Sequence, residues 1–329
     1  MTREAPPVVG LGYCPYDILA VVPHMPVFDD VRMTHATALV HDGGGPVGTA
    51  LAAIARLGIP AGYIGVLDND REGRWLRELF IAEGVDVSRL RMRDGAGTNV
   101  CLLLVEEETA RRAIVCRPQV SPAALALDEE DRRYVQAGRA LHLDGQFLPA
   151  AIQAARWARE AGVPICFDGN HPRPGLEELL PLVDWLVVAE SFPRKATGQA
   201  DPSRAAEELL SLGPRLLVVT LGEAGCQAWT RPATPGAALR GPISMPAFLV
   251  QAVDTTGAGD AFHGGFVYAM LQGWELPRVL AFANAVAGLN CPTLGGRRGI
   301  PPLPAVPAPP RAHPNPAPAP PSPDLRWVG

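Results

Sequence analysis

The sequence predicts an α/β fold built on a mostly parallel sheet, and three observations carry that prediction. Short apolar runs of four or five residues alternate with helical patterns from Ala140 to Thr220. Those runs, such as Trp185–Val188 and Leu216–Thr220, lack the polar–apolar alternation of a half-solvated strand, so both of their faces call for cover. Two stretches that do alternate, Thr98–Val105 and Arg112–Cys116, flank the polar Glu106-Glu107-Glu108 and read as a β-hairpin.

Residues 7–11 read as a first strand, ending at Gly12. Pro46–Leu57 place small and apolar residues at helical spacing, with Pro at the start and Gly58 at the end. A short strand over Tyr63–Val66 precedes a helix over about Glu72–Glu83, capped near Asp70 and closed by Gly84. Beyond the hairpin come the strand Ala140–Leu143, the helix Ala150–Ala161, the strand Pro164–Phe167 and a short helical piece at Leu176–Leu180. The strand Trp185–Val188, the helix Ser203–Leu212 and the strand Leu216–Thr220 continue the pattern, and helices over Ala258–Leu271 and Pro277–Asn290 complete it. Residues 1–302 therefore read as one domain. The remainder differs in kind: residues 301–329 hold 12 of the 35 prolines, and 303–329 is expected to be a disordered or polyproline II tail.

Composition removes several classes. A net charge of −5 without a basic run lacks the footprint of a nucleic-acid binder. The longest apolar runs are far too short to cross a bilayer, and no signal-peptide centre follows Arg3 and Glu4, so a cytoplasmic location is expected. The six cysteines (Cys14, Cys101, Cys116, Cys166, Cys226, Cys291) form no C-x-x-C pair and read as small buried apolar residues without a disulfide framework. The seven histidines show no H-E-x-x-H or i,i+4 pair, so no zinc site is expected. Lys195 is the only lysine, and Phe192-Pro193-Arg194 before it rules out both a Walker A loop and a V-A-I-K strand.

The richest motif is Asp254-Thr255-Thr256-Gly257-Ala258-Gly259-Asp260-Ala261-Phe262, which opens an apolar helix. Gly257, Ala258 and Gly259 at a helix N-terminus let backbone N–H groups converge on an anion, where the helix dipole also favours negative charge. Asp260, in the first turn, stands where it can accept a proton from a hydroxyl attacking phosphorus. A dinucleotide fingerprint fails: Gly257-x-Gly259 would need glycine at position 262, which is Phe262, and Gly10-x-Gly12 would need it at 15, which is Pro15. His263, one helical turn past the base, reads as a polar wall residue.

The string D-T-T-G-A-G-D-A-F-H-G-G-F at 254–266 resembles the C-terminal signature of the ribokinase-like (PfkB) carbohydrate kinase family. Similar matches are Gly44-Gly45 with A-R-L-G at 55–58, Asp70-x-x-Gly73, Gly84-Val85-Asp86, Asp168-x-Asn170, Thr220-x-Gly222 with Gly225, and Leu294-Gly-Gly-Arg297. Spanning roughly 7–302, the resemblance implies a Rossmann-type sandwich with a small β-lid, formed by segments about 17–38 and 97–118, that closes over a sugar. It implies ATP-dependent phosphorylation of a sugar-like hydroxyl, with Mg²⁺, a monovalent cation such as K⁺, and possible pairing of lids in a homodimer. Asp260 then resembles the general base and Gly257–Gly259 the anion hole. Asp17, Gly44, Gly45, Thr49 and Asn170 correspond to acceptor-binding positions, and Thr220, Gly222, Gly225 and Asn284 to the nucleotide side. Asp254 and Thr256, with the loop 295–299, correspond to the monovalent-cation site. Three positions depart from the family: Thr49 replaces an asparagine, Ala189 and Phe192 replace both polar members of N-x-x-E, and Pro172 with Arg173 replaces an arginine at 172. Glu190 is left as the local carboxylate for Mg²⁺. A sugar-phosphate acceptor would call on Arg117 or Arg173; a nucleoside kinase and a non-catalytic binding protein are the rival readings.

Overall fold

The computed structural model describes residues 8–27, 33–95, 97–118, 120–121, 124–231 and 239–308. In chain order the strands are β1 (Val8–Leu11), β2 (Tyr16–Val22), β3 (Ala38–Gly43), β4 (Ala61–Asp68), β5 (Val85–Asp86), β6 (Leu90–Arg93) and β7 (Val100–Glu106). They continue with β8 (Arg112–Arg117), β9 (Ala140–Leu143), β10 (Ile165–Gly169), β11 (Trp185–Ala189), β12 (Leu216–Thr220), β13 (Cys226–Thr230) and β14 (Arg240–Met245). The helices are α1 (Pro46–Arg56), α2 (Arg71–Ala82), α3 (Glu129–Gln136), α4 (Leu148–Glu160), α5 (Leu176–Leu179), α6 (Ser191–Thr197), α7 (Pro202–Ser211), α8 (Ala258–Leu271) and α9 (Leu276–Asn290).

One sheet runs β14-β13-β12-β11-β10-β9-β1-β4-β5, with β6 beside β4. Its neighbours are parallel from β12 through to β5, and only β13 and β14 are antiparallel. Successive strand residues point to opposite faces, and each face has its own core. Val8, Ala140, Cys166, Val187 and Val218 pack with Leu51 of α1, Phe262 and Phe266 of α8, and Val286 of α9. Val9, Leu141, Ile165, Leu186 and Leu217 pack with Ala151 and Ala155 of α4 and Leu209 of α7. Each fully buried side chain of this size is worth about 1.5–3 kcal/mol, so a sheet covered on both sides explains the continuous apolar runs. Helix α8 lies between α1 and α9; a Cβ on Gly264 would come within 2.4 Å of the Ala53 Cβ, and one on Gly265 within 3.0 Å of Val286.

A second, four-stranded sheet, β3-β2-β7-β8, forms the lid. The expected hairpin is β7–β8, and the lid also takes in β3, which reaches residue 43 rather than stopping near 38. Strand register sorts the lid's residues. Asp17, Leu19, Cys101, Leu103 and Arg112 share the face turned toward the main sheet, whereas Leu39, Leu102 and Val115 share the outer face and are exposed.

Two expectations are corrected. Cys101 and Cys116 are not separate apolar residues but a disulfide: the β7–β8 register sets them directly opposite one another, a juxtaposition that C-x-x-C spacing does not test. The other four cysteines are free and buried, as read. The packed chain also passes residue 302, because Leu303–Ala305 form a 3₁₀ turn and Val306 joins the core beside α9. Residues 309–329 of the expected tail lie outside the described residues. Among the described residues, no helix is long and apolar enough to cross a membrane.

Candidate active site

The first turn of α8 faces the cleft between the sheet's C-terminal edge and the lid. Gly257 is its N-cap with φ 72°, a left-handed conformation, and a Cβ there would strike the Gly296 carbonyl oxygen at 2.3 Å. At Gly259 a Cβ would meet nothing within 4 Å. Open space beside helix N–H groups that lack intrahelical partners is what an anion requires. The turn is braced from beneath. The Asp254 carboxylate accepts from the Thr256 N–H at 2.8 Å and the Gly295 N–H at 3.0 Å, and the Asn290 amide donates to the carbonyls of Thr256 (3.3 Å) and Gly296 (3.0 Å). The buried Thr256 hydroxyl has no hydrogen-bond partner among the described residues.

Asp260 is half-buried at the start of α8. Burial pushes its carboxyl above the ordinary range; Arg112 and Arg297 oppose the shift and Asp144 adds to it. Arg112, on the inward face of β8, reaches across the cleft and donates to the Thr255 hydroxyl.

The opposite wall carries Asp17, buried in β2 beside Asp42 of β3. Burial raises the Asp17 carboxyl to about 8; Arg297 opposes this, and the charges of Asp42, Asp260 and Asp254 reinforce it. A Cβ on Gly44 would lie 2.1 Å from an Asp17 oxygen, and one on Gly45, which has φ 84°, would lie 2.3 Å from the Tyr13 carbonyl oxygen. Both glycines therefore answer to close approach. Thr49, within α1, is fully buried and its hydroxyl has no partner among the described residues. Asp144, just past β9, accepts from the Tyr13 N–H at 2.7 Å and the Gln146 N–H at 2.9 Å, while burial raises its carboxyl to about 6. Arg173 donates to the Gly145 carbonyl and the Gln146 side chain.

Of the residues expected to border the nucleotide, Thr220 ends β12 and donates to the Val188 carbonyl at 3.3 Å. Gly222 (φ 58°) and Gly225 (φ 91°) shape the turn after it. The Asn284 amide donates to the carbonyls of Met245 (3.3 Å) and Pro246 (2.9 Å), so it holds the chain leaving β14. Asn170 is exposed directly after β10, and Glu190 is exposed directly after β11. Phe192 is buried, filling the position of a polar family member.

Side chains to which the sequence assigned no individual role complete the arrangement, Arg297 among them although it closes the Leu294-Gly-Gly-Arg297 match. Arg297 is wholly buried; its guanidinium donates to the Gly44 carbonyl at 2.8 Å and to Glu83 at 3.1 Å, and its backbone N–H donates to Asp42 at 3.0 Å. It thus ties the lid strand β3 and the Gly44 turn to the C-terminal loop. Arg112 could have been placed by the period-2 pattern of its strand; nothing local marks Asp42 or Asp144. His263 faces away from the cleft, with its Nε2 3.2 Å from Asp168 and its Nδ1 4.0 Å from the Cys166 sulfur.

Comparison with known proteins places this geometry. Residues 6–302 match the pfkB family of carbohydrate kinases. The chain is 29% identical over 292 residues to the ATP-dependent ribose-1-phosphate kinase of Halopiger xanaduensis, covering 88% of this chain and 93% of that one. It is 33% identical over 258 residues to the fructokinase of Klebsiella pneumoniae, covering 73% and 80%. Among solved structures, Arabidopsis thaliana ribokinase complexed with ribose and ATP superposes with a TM-score of 0.79 at 25% identity, covering 92% of this chain and 97% of that one. The chain belongs to the pfkB family and is a carbohydrate kinase with the ribokinase-like fold.

Proposed function

We propose that this carbohydrate kinase transfers the γ-phosphoryl group of ATP to a hydroxyl of a neutral sugar or sugar-like polyol, with Asp260 as general base. The observation that carries the reading is the pairing of Asp260 with the open, protein-free space over Gly259 at the start of α8. The substrate hydroxyl attacks phosphorus, its proton passes to Asp260, and the N–H groups of Gly257–Gly259 hold the oxygens on which charge develops. Arg112, already across the cleft at Thr255, adds positive charge beside the transferring group. Asp17 and the backbone at Gly44 and Gly45 orient the acceptor, with Thr49 and Asn170 bordering it; Thr220, Gly222 and Gly225 border the nucleotide, and Asn284 supports that border.

The acceptor is read as neutral because Asp17, Asp42, Asp144 and Asp254 crowd this end of the cleft, while the guanidinium of Arg297 is already engaged. A carboxylate or phosphate on the acceptor would lie beside an acidic cluster whose raised carboxyls show that further negative charge is disfavoured there. Arg173 is likewise bound to Gly145 and Gln146.

Glu190 fits Mg²⁺, since an exposed carboxylate at a strand end suits an ion that keeps most of its waters. Bound there, Mg²⁺ would neutralise phosphate charge. Asp254 and the unpartnered hydroxyl of Thr256 fit a monovalent cation such as K⁺. The exposed apolar outer face of the lid, Leu39, Leu102 and Val115, fits the lid of a second copy and a homodimer. A cytoplasmic location accords with the use of ATP.

An ADP-release screen over pentoses, hexoses, sugar acids, sugar phosphates and nucleosides tests the reading. The highest kcat/KM is expected for a neutral sugar. A sugar acid or sugar phosphate at the top would overturn the neutral acceptor, a nucleoside would favour that rival, and ADP release that no acceptor raises would favour a binding protein.

A further inference from the structure

Three side chains from distant parts of the chain meet beneath the turn that carries Asp260. His142 of β9, Cys166 of β10 and His263 of α8 present ligand atoms that all lie within 4.8 Å of one another, and all three residues are buried. Sheet register brings this about: Cys166 is the direct neighbour of His142 across β10 and β9, so both project from one face, the face that α8 covers. The Cys166 sulfur is 4.0 Å from Nδ1 of His263, and the two imidazole centroids are 5.3 Å apart. Among the described residues, neither ring nitrogen of His142 has a partner within hydrogen-bond geometry, although the residue is completely buried and the Cys166 backbone is the polar group beside it. A neutral imidazole carries one N–H and one lone pair, and each buried polar group left unpaired costs about 1–3 kcal/mol. An apolar side chain at position 142 would carry no such cost, so the pair of orphaned nitrogens points to a ligand.

We propose that His142, Cys166 and His263 form a buried site for a thiophilic transition-metal cation, with zinc(II) as the ion that suits it best. One thiolate and two imidazoles are a borderline-soft donor set matched to zinc. Zn–N bonds of about 2.0–2.1 Å and a Zn–S bond of about 2.3 Å give tetrahedral edges of about 3.3–3.6 Å, so the ligands need close by only about an ångström. Nδ1 of His263 faces the sulfur, while its Nε2 stands 3.2 Å from Asp168. A carboxylate on the second ring nitrogen is the partner that a metal-bound imidazole takes, and it fixes the ring's orientation. The charges also close. Binding displaces the protons of the Cys166 thiol and the Asp168 carboxyl to solvent, and the resulting thiolate and carboxylate match the two positive charges of the ion. The ion would tie β9 and β10 to α8 one helical turn beyond the catalytic aspartate. The three ligands stand at positions 142, 166 and 263, so no spacing rule for metal motifs could have found them.

The test uses the full chain, stripped with chelator and titrated with zinc(II) and, as a spectroscopic probe, cobalt(II). One equivalent of zinc per chain is expected, together with a thiolate-to-cobalt charge-transfer band and a Tm that rises with zinc concentration. Cys166→Ser and His142→Gln should each abolish the band and weaken zinc retention at least tenfold, whereas Cys226→Ser, which removes a buried thiol outside the cluster, should leave both intact. Circular dichroism of each variant shows whether it is folded; if both site variants fail to fold, the wild-type band and stoichiometry alone decide. A folded wild-type chain that takes up no cobalt with a thiolate band overturns the proposal, as does a band that persists in Cys166→Ser. None of these readouts uses phosphoryl transfer, so the kinase mechanism and the metal site stand or fall separately.

Discussion

The two walls of the cleft are built by different means. At the start of α8 the chemistry is backbone: a left-handed Gly257, an open Gly259 and a helix N-terminus, all within a few consecutive residues. At the wall proposed for the acceptor it is side chains gathered from far apart, with Asp17 and Asp42 on lid strands and Arg297 on the C-terminal loop. The backbone wall costs little beyond a glycine's conformational freedom. The side-chain wall buries several carboxylates around one guanidinium, and the raised Asp17 carboxyl, at about 8, is the sign of that expense.

Four measurements would sharpen or break this contrast. The largest effect belongs to Asp260→Asn, which keeps the helix start and removes the proton acceptor. Its kcat should fall by about 10²–10⁴-fold with ATP and acceptor affinities retained, and near-normal turnover would remove Asp260 as base. In the parent enzyme the same base should make the rate rise with pH through an apparent pKa above the usual carboxylate range, in line with its upward shift.

Next is a pair of alanines two residues apart. Gly257→Ala forces a side chain onto the Gly296 carbonyl at a positive φ and should cost about 1–3 kcal/mol of stability. Gly259→Ala meets no protein atom, so it should melt like the parent while losing ATP affinity and turnover. Equal melting of the two variants would show that the backbone wall is not built as described.

Asp17→Asn probes the other wall. Measured above pH 8, where the carboxylate form prevails, acceptor KM should rise by about 10–100-fold, equivalent to about 1.5–3 kcal/mol for a charge-assisted bond, with ATP affinity unchanged. Stability should respond in the opposite sense. A carboxyl whose folded pKa is raised from 3.8 to about 8 contributes stability that is present at low pH and lost as pH rises across that window. The asparagine variant of the ligand-free protein should therefore melt above the parent at pH 8–9 on the order of that loss, and an unchanged or lower Tm there would contradict the burial argument. Glu190→Gln is the mildest change: it should raise the Mg²⁺ concentration for half-maximal rate by a few fold, and an unaltered Mg²⁺ dependence would remove Glu190 from that role.

The same contrast explains what could be read from the sequence. Elements with long apolar periodicity were legible, and α8 spans the expected Ala258–Leu271. The helix start proposed as the anion hole was legible for the same reason, since Gly257, Ala258 and Gly259 are contiguous. Helix α3 was missed although Asp128 and Asp131 form a capping box, because its eight residues are mostly charged and carry almost no apolar stripe. Strands β13 and β14 were missed at the sheet's edge, where β14 is largely exposed and its composition does not report burial. The partners of Arg297, the disulfide and the His142 cluster depend on register and on contacts across more than one element, and local pattern is silent about those.

The placement of Asp17 has a kinetic consequence. The acid lies two residues beyond Pro15, whose carbonyl accepts from the Gly44 N–H at 3.0 Å where the chain passes between body and lid. Asp17 is therefore mounted on the lid, whereas Asp260 is mounted on the body. Any rotation of the lid about these connections changes the gap between acid and base. If Asp17 holds the acceptor and Asp260 takes its proton, a polyol that touches both holds the gap at one value, which a water bound to one of them would not. Discrimination against hydrolysis then becomes a matter of length, with the sugar serving as the ruler that sets the lid before phosphorus is attacked.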